Sequence, residues 1–96
     1  MTQKKHISVS HYCKQTHIAD TFVTQLHEYG LITVEEAQDD FFIDENDISE
    51  IERMFRLHND LGINFEGLDA IQQMLERMQK LEKKLDLLQN RLRLYE

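Results

Sequence analysis

Residues 65–96 read FEGLDAIQQMLERMQKLEKKLDLLQNRLRLYE. Within them Ile71, Met78, Leu85 and Leu92 stand seven residues apart, and Met74, Leu81, Leu88 and Tyr95 repeat three residues after each. This is an a/d heptad pattern over about four heptads, the seam of a coiled coil. No breaker interrupts it except Gly67 in the first turn, and Asn64 stands where a helix cap is needed. At ~1.5 Å per residue the helix is a rod of roughly 47 Å. The preceding 64 residues should fold to a body about 28 Å across, from a radius of gyration near 11 Å. The rod must therefore project, and a projecting apolar stripe is unstable alone in water. A homodimer or a partner helix is implied, and those eight a and d residues are the expected dimerisation face. Arg77, Lys84 and Arg91 at g would face Glu82, Gln89 and Glu96 at e in a parallel pair, but one another in an antiparallel one. Charge favours the parallel pair.

Upstream of the rod, Ile48, Ile51, Met54, Phe55 and Leu57 follow a helical period that Asp44 or Asn46 can cap and Gly62 can end. Before it come Leu31-Ile32-Thr33-Val34 and Phe41-Phe42-Ile43, β-branched or aromatic runs on either side of the polar stretch 35–40. They predict a small hairpin, or wing. Nearer the start, Ser8 or Ser10 can cap a short helix through His17, with Val9, Tyr12, Cys13 and Thr16 on its inner side. Asp20 can cap a second helix over 21–29, with Phe22, Val23 and Leu26 as its apolar positions and Gly30 closing it in the left-handed conformation. Two short helices joined by a tight turn are a helix-turn-helix signature. The expected fold is mainly α: a winged helix-turn-helix body with a third helix over residues 1–64, and a coiled-coil dimerisation helix over 65–96.

A chain of 96 residues with 41% apolar and 30% charged content is one small folded domain, too hydrophobic for a disordered tail. Its single cysteine, Cys13, excludes an intramolecular disulfide and points to a reducing compartment. Neither a secretory signal nor a membrane span is visible, so a cytoplasmic protein is expected. The net charge of -7 is unevenly spread. Residues 1–14 carry three lysines and no acid, residues 15–52 carry eleven acids and no Lys or Arg, and residues 53–96 carry eight bases against seven acids. The middle block would repel a phosphate backbone, since nucleic-acid affinity comes largely from Lys and Arg. It is either a solvated acidic surface or a docking face for a basic protein partner.

Chemistry-bearing clusters are few. His11, Cys13 and His17 are soft metal ligands, but on a helix His11 points away from the other two, leaving two ligands where zinc wants three or four. Cys13 beside a histidine has no oxyanion-donor loop or third group to make it a nucleophile. There is no phosphate-binding loop, dinucleotide fingerprint or metalloprotease motif. The carboxylates cluster in an open hairpin, where no dry cleft can split their pKa values. No catalytic residue, metal, cofactor or small-molecule substrate is expected.

The order of helix-turn-helix, wing, two-helix extension and dimerising coil resembles the MerR-like winged-helix domain over nearly the whole chain. Val9, Tyr12, Cys13, Thr16 and Ile18 stand where that family has its first-helix core pattern, and Gly30-Leu31 where a Gly-Leu follows helix two. DNA-binding members carry an Arg and an aromatic in helix two and another Arg in the wing; the matching positions here are Thr24, Leu26 and Glu36. His17 replaces the usual turn glycine, and Val34 the usual wing proline. A narrower segment, Arg56-Leu57-His58-Asn59-Asp60-Leu61-Gly62-Ile63-Asn64-Phe65-Glu66-Gly67-Leu68, resembles the chaperone-modulator (CbpM) family, through Leu61, Ile63, Asn64 and Gly67 above all.

That resemblance implies a non-enzymatic protein that binds the J-domain of a DnaJ-like co-chaperone and inhibits it. J-domains have a basic helix that engages their DnaK-type partner, and an acidic wing could compete for it. The expected partner face is Glu35, Glu36, Asp39, Asp40 and Asp44, with Phe41 or Phe42 as apolar anchor. The alternative use of these residues is Phe41, Phe42 and Ile43 as wing core with the acids merely solvating it. The alternative function is a transcriptional regulator binding a palindromic operator through paired helix-turn-helix units. It needs bases on helix two or the wing, and Thr21, Thr24, Gln25 and Glu28 include none, leaving the N-terminal lysines and Lys14 for phosphates.

Overall fold

The computed structural model describes residues 5–95; Glu96, named above, and Lys4, one of the N-terminal lysines, lie outside them. In chain order the described elements are β1 (His6–Ser8), α1 (Val9–Thr16), α2 (Asp20–Glu28), β2 (Val34–Ala37), β3 (Asp40–Asp44), a 3-10 turn at Glu45–Asp47, α3 (Ile48–Leu61) and α4 (Phe65–Arg93). The strands form one antiparallel sheet in the order β1-β3-β2. The expected winged helix-turn-helix with a long terminal helix is the fold observed.

The helix ends follow local chemistry. At the end of α2, Gly30 takes a φ of 73°, and the N–H groups of Gly30 and Leu31 donate to the carbonyls of His27 and Leu26 at 2.9 Å each. These two bonds close the helix as a left-handed glycine permits. α1 ends on His17 in the same left-handed conformation, φ 61°, its N–H donating to the Cys13 carbonyl. The side chain of Asn64 caps α4 by accepting from the Gly67 N–H at 2.8 Å, as the sequence leads one to expect. Asp44 accepts from the Asn46 N–H at 3.0 Å and so caps the 3-10 turn that leads into α3.

Other details depart from the sequence reading. Asp20 does not cap α2: the cap position is Ala19, and Asp20 is the first helical residue, where its charge faces the positive end of the helix dipole. Neither expected serine caps α1 with its side chain, because the Ser8 hydroxyl donates to Asp40 Oδ2 at 3.2 Å instead. The first strand of the hairpin lies at Val34–Ala37, three residues later than the Leu31 start of the expected run. Ile32 is buried without strand pairing. β1 was not expected; Ile7 is the only apolar residue in it, too little pattern for a strand to show.

Tyr12, Ile18, Phe22, Val23, Leu26, Ile32, Ile43, Ile51, Met54 and Leu68 form the core, so every strand and α-helix of the body contributes or packs against it. α3 and the first turns of α4 close one side. Phe22 meets Phe55 edge-on at 5.4 Å, Phe65 stacks on Tyr29 at 5.5 Å, and the Tyr29 hydroxyl donates to Glu66 at 2.9 Å. Arg53 bridges Glu50 on its own helix to Gln72 of α4, the latter at 2.8 Å. Beyond Leu75 every described residue of the chain is exposed. The rod at ~1.5 Å per residue is about 44 Å long, and the molecule extends 58 × 38 × 21 Å. The helix projects as its length demands.

Candidate functional site

The wing is built on a two-residue turn. Gln38 and Asp39 have φ values of 52° and 61°, both positive, as the mirror-image hairpin turn requires to match strand twist. The register pairs Glu35 with Phe42, Glu36 with Phe41 and Val34 with Ile43. Because side chains alternate along a strand, the acids of the wing part to its two faces. Glu35 lies with Phe42 on the outer face, where its carboxylate sits 3.2 Å from the His6 imidazole. Glu36 and Phe41 lie with Val34 on the inner face, turned toward α2.

Between that inner face and α2 runs a groove of about 450 Å³. Val9, Val23, Val34 and Phe41 give it an apolar floor, and Phe41 remains 52% exposed. Its polar rim is acidic: Asp20 from α2, Glu36 from β2 and Asp40 from β3. Ser10, Thr24 and His27 also line it, and among the described residues the lining includes no Lys or Arg. Asp40 is held in place by Ser8 and by the Phe41 N–H, which donates to its Oδ1 at 2.8 Å.

Of the six residues expected to meet a partner, Glu36, Asp40 and Phe41 therefore converge on one groove. Glu35 faces the other way, Asp39 occupies the turn, and Asp44 is engaged as a cap. Asp20, Val9 and Val23 were not among the expected partner residues, because only the tertiary fold, which sets α1 and α2 beside the wing, brings them there. Leu26 is completely buried and cannot touch a ligand. Thr21, Thr24, Gln25 and Glu28 are exposed, as expected, but carry no base.

The segment 56–68 forms the elbow between α3 and α4. Gly62 takes the left-handed conformation with φ 67°. Ile63 packs against the core, and its carbonyl lies 2.7 Å from His58 Nδ1. A Cβ on Gly67 would come within 2.8 Å of Ile63 Cγ2, so only glycine fits without displacement. Leu61 alone of the four key residues has no packing role, being 69% exposed. On α4, the expected seam residues Met74, Met78, Leu81, Leu85, Leu88, Leu92 and Tyr95 are all more than half exposed, and Ile71 is half-buried. Leu87 and Leu94 are exposed outside that seam.

Burial, then the charge of Asp20, pushes the Cys13 thiol above its usual range, which opposes the thiolate that nucleophilic or metal chemistry needs. Burial first, then Glu52 and Cys13, pushes Tyr12 up to about 12. Glu66 is lowered, by a hydrogen bond to its own backbone and then by Tyr29. Among the described residues no group of three or more His, Cys, Asp or Glu is placed to hold a metal ion. No helix among them is long and apolar enough to cross a membrane. A comparison with curated proteins gives no match. Residues 7–90 match the family described as MerR HTH family regulatory protein, and with its helix-turn-helix, wing and long terminal helix in place the chain belongs to that family.

Proposed function

We propose that this protein is a non-enzymatic regulator that binds the J-domain of a DnaJ-like co-chaperone and inhibits it, through its wing and as a dimer. The observation that carries the reading is the wing itself: on a MerR scaffold, the face expected to meet DNA presents Glu36, Asp40 and an exposed Phe41, with no Lys or Arg beside them among the described residues. Such a surface repels phosphate and suits a basic protein helix, for which charge supplies on-rate and selectivity and an aromatic supplies the anchor. The likeness of residues 56–68 to the chaperone-modulator pattern points to the same partner. The eight seam residues of α4 would pair with a second copy, in parallel if Arg77 meets Glu82 of that copy.

The direct test is enzymatic on the partner's side. ATP hydrolysis by a DnaK-type chaperone, stimulated by the co-chaperone, should fall as this protein is added and reach its floor near one protomer per J-domain. Charge reversal at Asp39 and Asp40 should shift that curve to at least tenfold higher concentration, about 1.4 kcal/mol. Undiminished stimulation at excess protein would reject the inhibitor reading. Inhibition unchanged by the reversal would move the contact off the wing.

A further inference from the structure

We infer that the groove between α2 and the inner face of the wing is a seat for one basic amphipathic α-helix, which lays its apolar side on Val9, Val34 and Phe41 and its cations on Asp20 and Glu36. For its natural ligand this rests on the J-domain reading above; the occupant's chemistry is argued from the groove.

Both walls of the groove supply floor and rim. Val23 and Asp20 come from successive turns of α2, and Phe41 and Glu36 from paired positions of β3 and β2. The groove is thus a channel with an acidic lip on each side rather than a single charged patch. A ligand lying in it must be apolar along one side and cationic on both flanks, which describes an amphipathic helix with bases beside its apolar stripe. Among the described residues no Lys or Arg lines the groove to pair with these acids internally. Phe41 packs with half its surface still open to water, so a ligand side chain gains apolar contact there at little cost in rearrangement.

The sheet also separates this inference from a general attraction of bases to an acidic wing. Glu35 and Glu36 are adjacent, carry the same charge and point to opposite faces. Glu35→Lys and Glu36→Lys make the same change in net charge. At physiological ionic strength charges are screened over about 8 Å, so only the residue facing the bound helix should matter strongly. Thr24→Arg gives a second, independent obstruction, placing a bulky cation at an exposed helical position on the groove wall.

The experiment uses the full chain, its isotope-labelled form and the three variants, with circular dichroism to verify the fold of each. Two probes are titrated: the co-chaperone's J-domain, and a synthetic Leu/Lys amphipathic peptide of about five turns or 18 residues. Both should perturb backbone resonances of Asp20, Thr24, Glu36 and Phe41 first. Glu36→Lys and Thr24→Arg should each weaken binding at least tenfold, and Glu35→Lys less than threefold. If the J-domain binds but maps elsewhere, or if Glu35→Lys and Glu36→Lys weaken it equally, the groove is overturned while the J-domain reading stands. If only the peptide binds, at the groove, the J-domain reading falls and the groove stands. If neither probe binds there, the groove is overturned.

Discussion

The body and the outer part of α4 use the same apolar residue types to opposite ends. In the body, Leu26, Ile43 and Ile51 are completely buried, because helices, sheet and the start of α4 close on one another. Along the outer rod, Met78, Leu81, Leu85, Leu88 and Leu92 recur as regularly yet are all more than half exposed. Apolar content alone does not determine burial; what matters is whether a second surface is within reach, and a projecting helix has none of its own. Stability in the body should therefore be independent of protein concentration, whereas helicity in the rod should rise with it, since an isolated helix in water is marginal without packing.

The largest effect should come from opening the body. Leu26→Ala removes a completely buried core side chain, and should cost about 3–4 kcal/mol, enough to unfold much of a small domain, in urea melts followed by circular dichroism. If the loss were under about 1 kcal/mol, the core would not be the cooperative unit described. Next is the rod: the double variant Leu81→Lys and Leu88→Lys puts four cations into the seam of a dimer, and should weaken self-association at least a hundredfold, about 2.7 kcal/mol, in sedimentation experiments. The body's urea midpoint at low concentration should stay where it was. Unchanged association would show that these residues do not pair.

Gly67→Ala sharpens the boundary between the regions. Ala is the better helix former, but its Cβ meets Ile63 at 2.8 Å and the capping Asn64 oxygen at 3.1 Å. The substitution should destabilise by about 1 kcal/mol instead of stabilising, read as a lower melting midpoint. The smallest effect belongs to Tyr12, whose buried hydroxyl has no hydrogen-bond partner among the described residues. Tyr12→Phe should leave stability at pH 7 equal or raise it by up to about 1 kcal/mol. Because burial holds the phenol neutral and raises its pKa to about 12, its contribution is intact below about pH 10 and lost as pH rises from there toward 12. Urea melts at pH 8 and 11 should show a smaller alkaline loss in the variant than in wild type.

The helices were legible in the sequence because their apolar positions keep a 3.6-residue period and their ends carry Gly30, Gly62 and Asn64. The wing was legible only in outline. Glu35, Glu36 and Ala37 are poor strand formers placed on an edge by pairing with β3, and Gln38-Asp39 lacks the glycine that announces a two-residue turn. Hence the acids read as one loop, although the pleat sends Glu35 and Glu36 to opposite faces. The groove was not legible at all: Asp20 and Glu36 are sixteen residues apart in sequence, and no local pattern records that α2 packs beside the wing.

The most direct measurement is calorimetric titration of the full chain with the J-domain of the same host's DnaJ-like co-chaperone, at near-physiological salt. The expected result is saturable binding of one J-domain per protomer, weakened as salt is raised. The absence of any heat at several temperatures would contradict the proposed function while leaving the MerR fold intact, and would turn attention to operator DNA or to another partner of the coil.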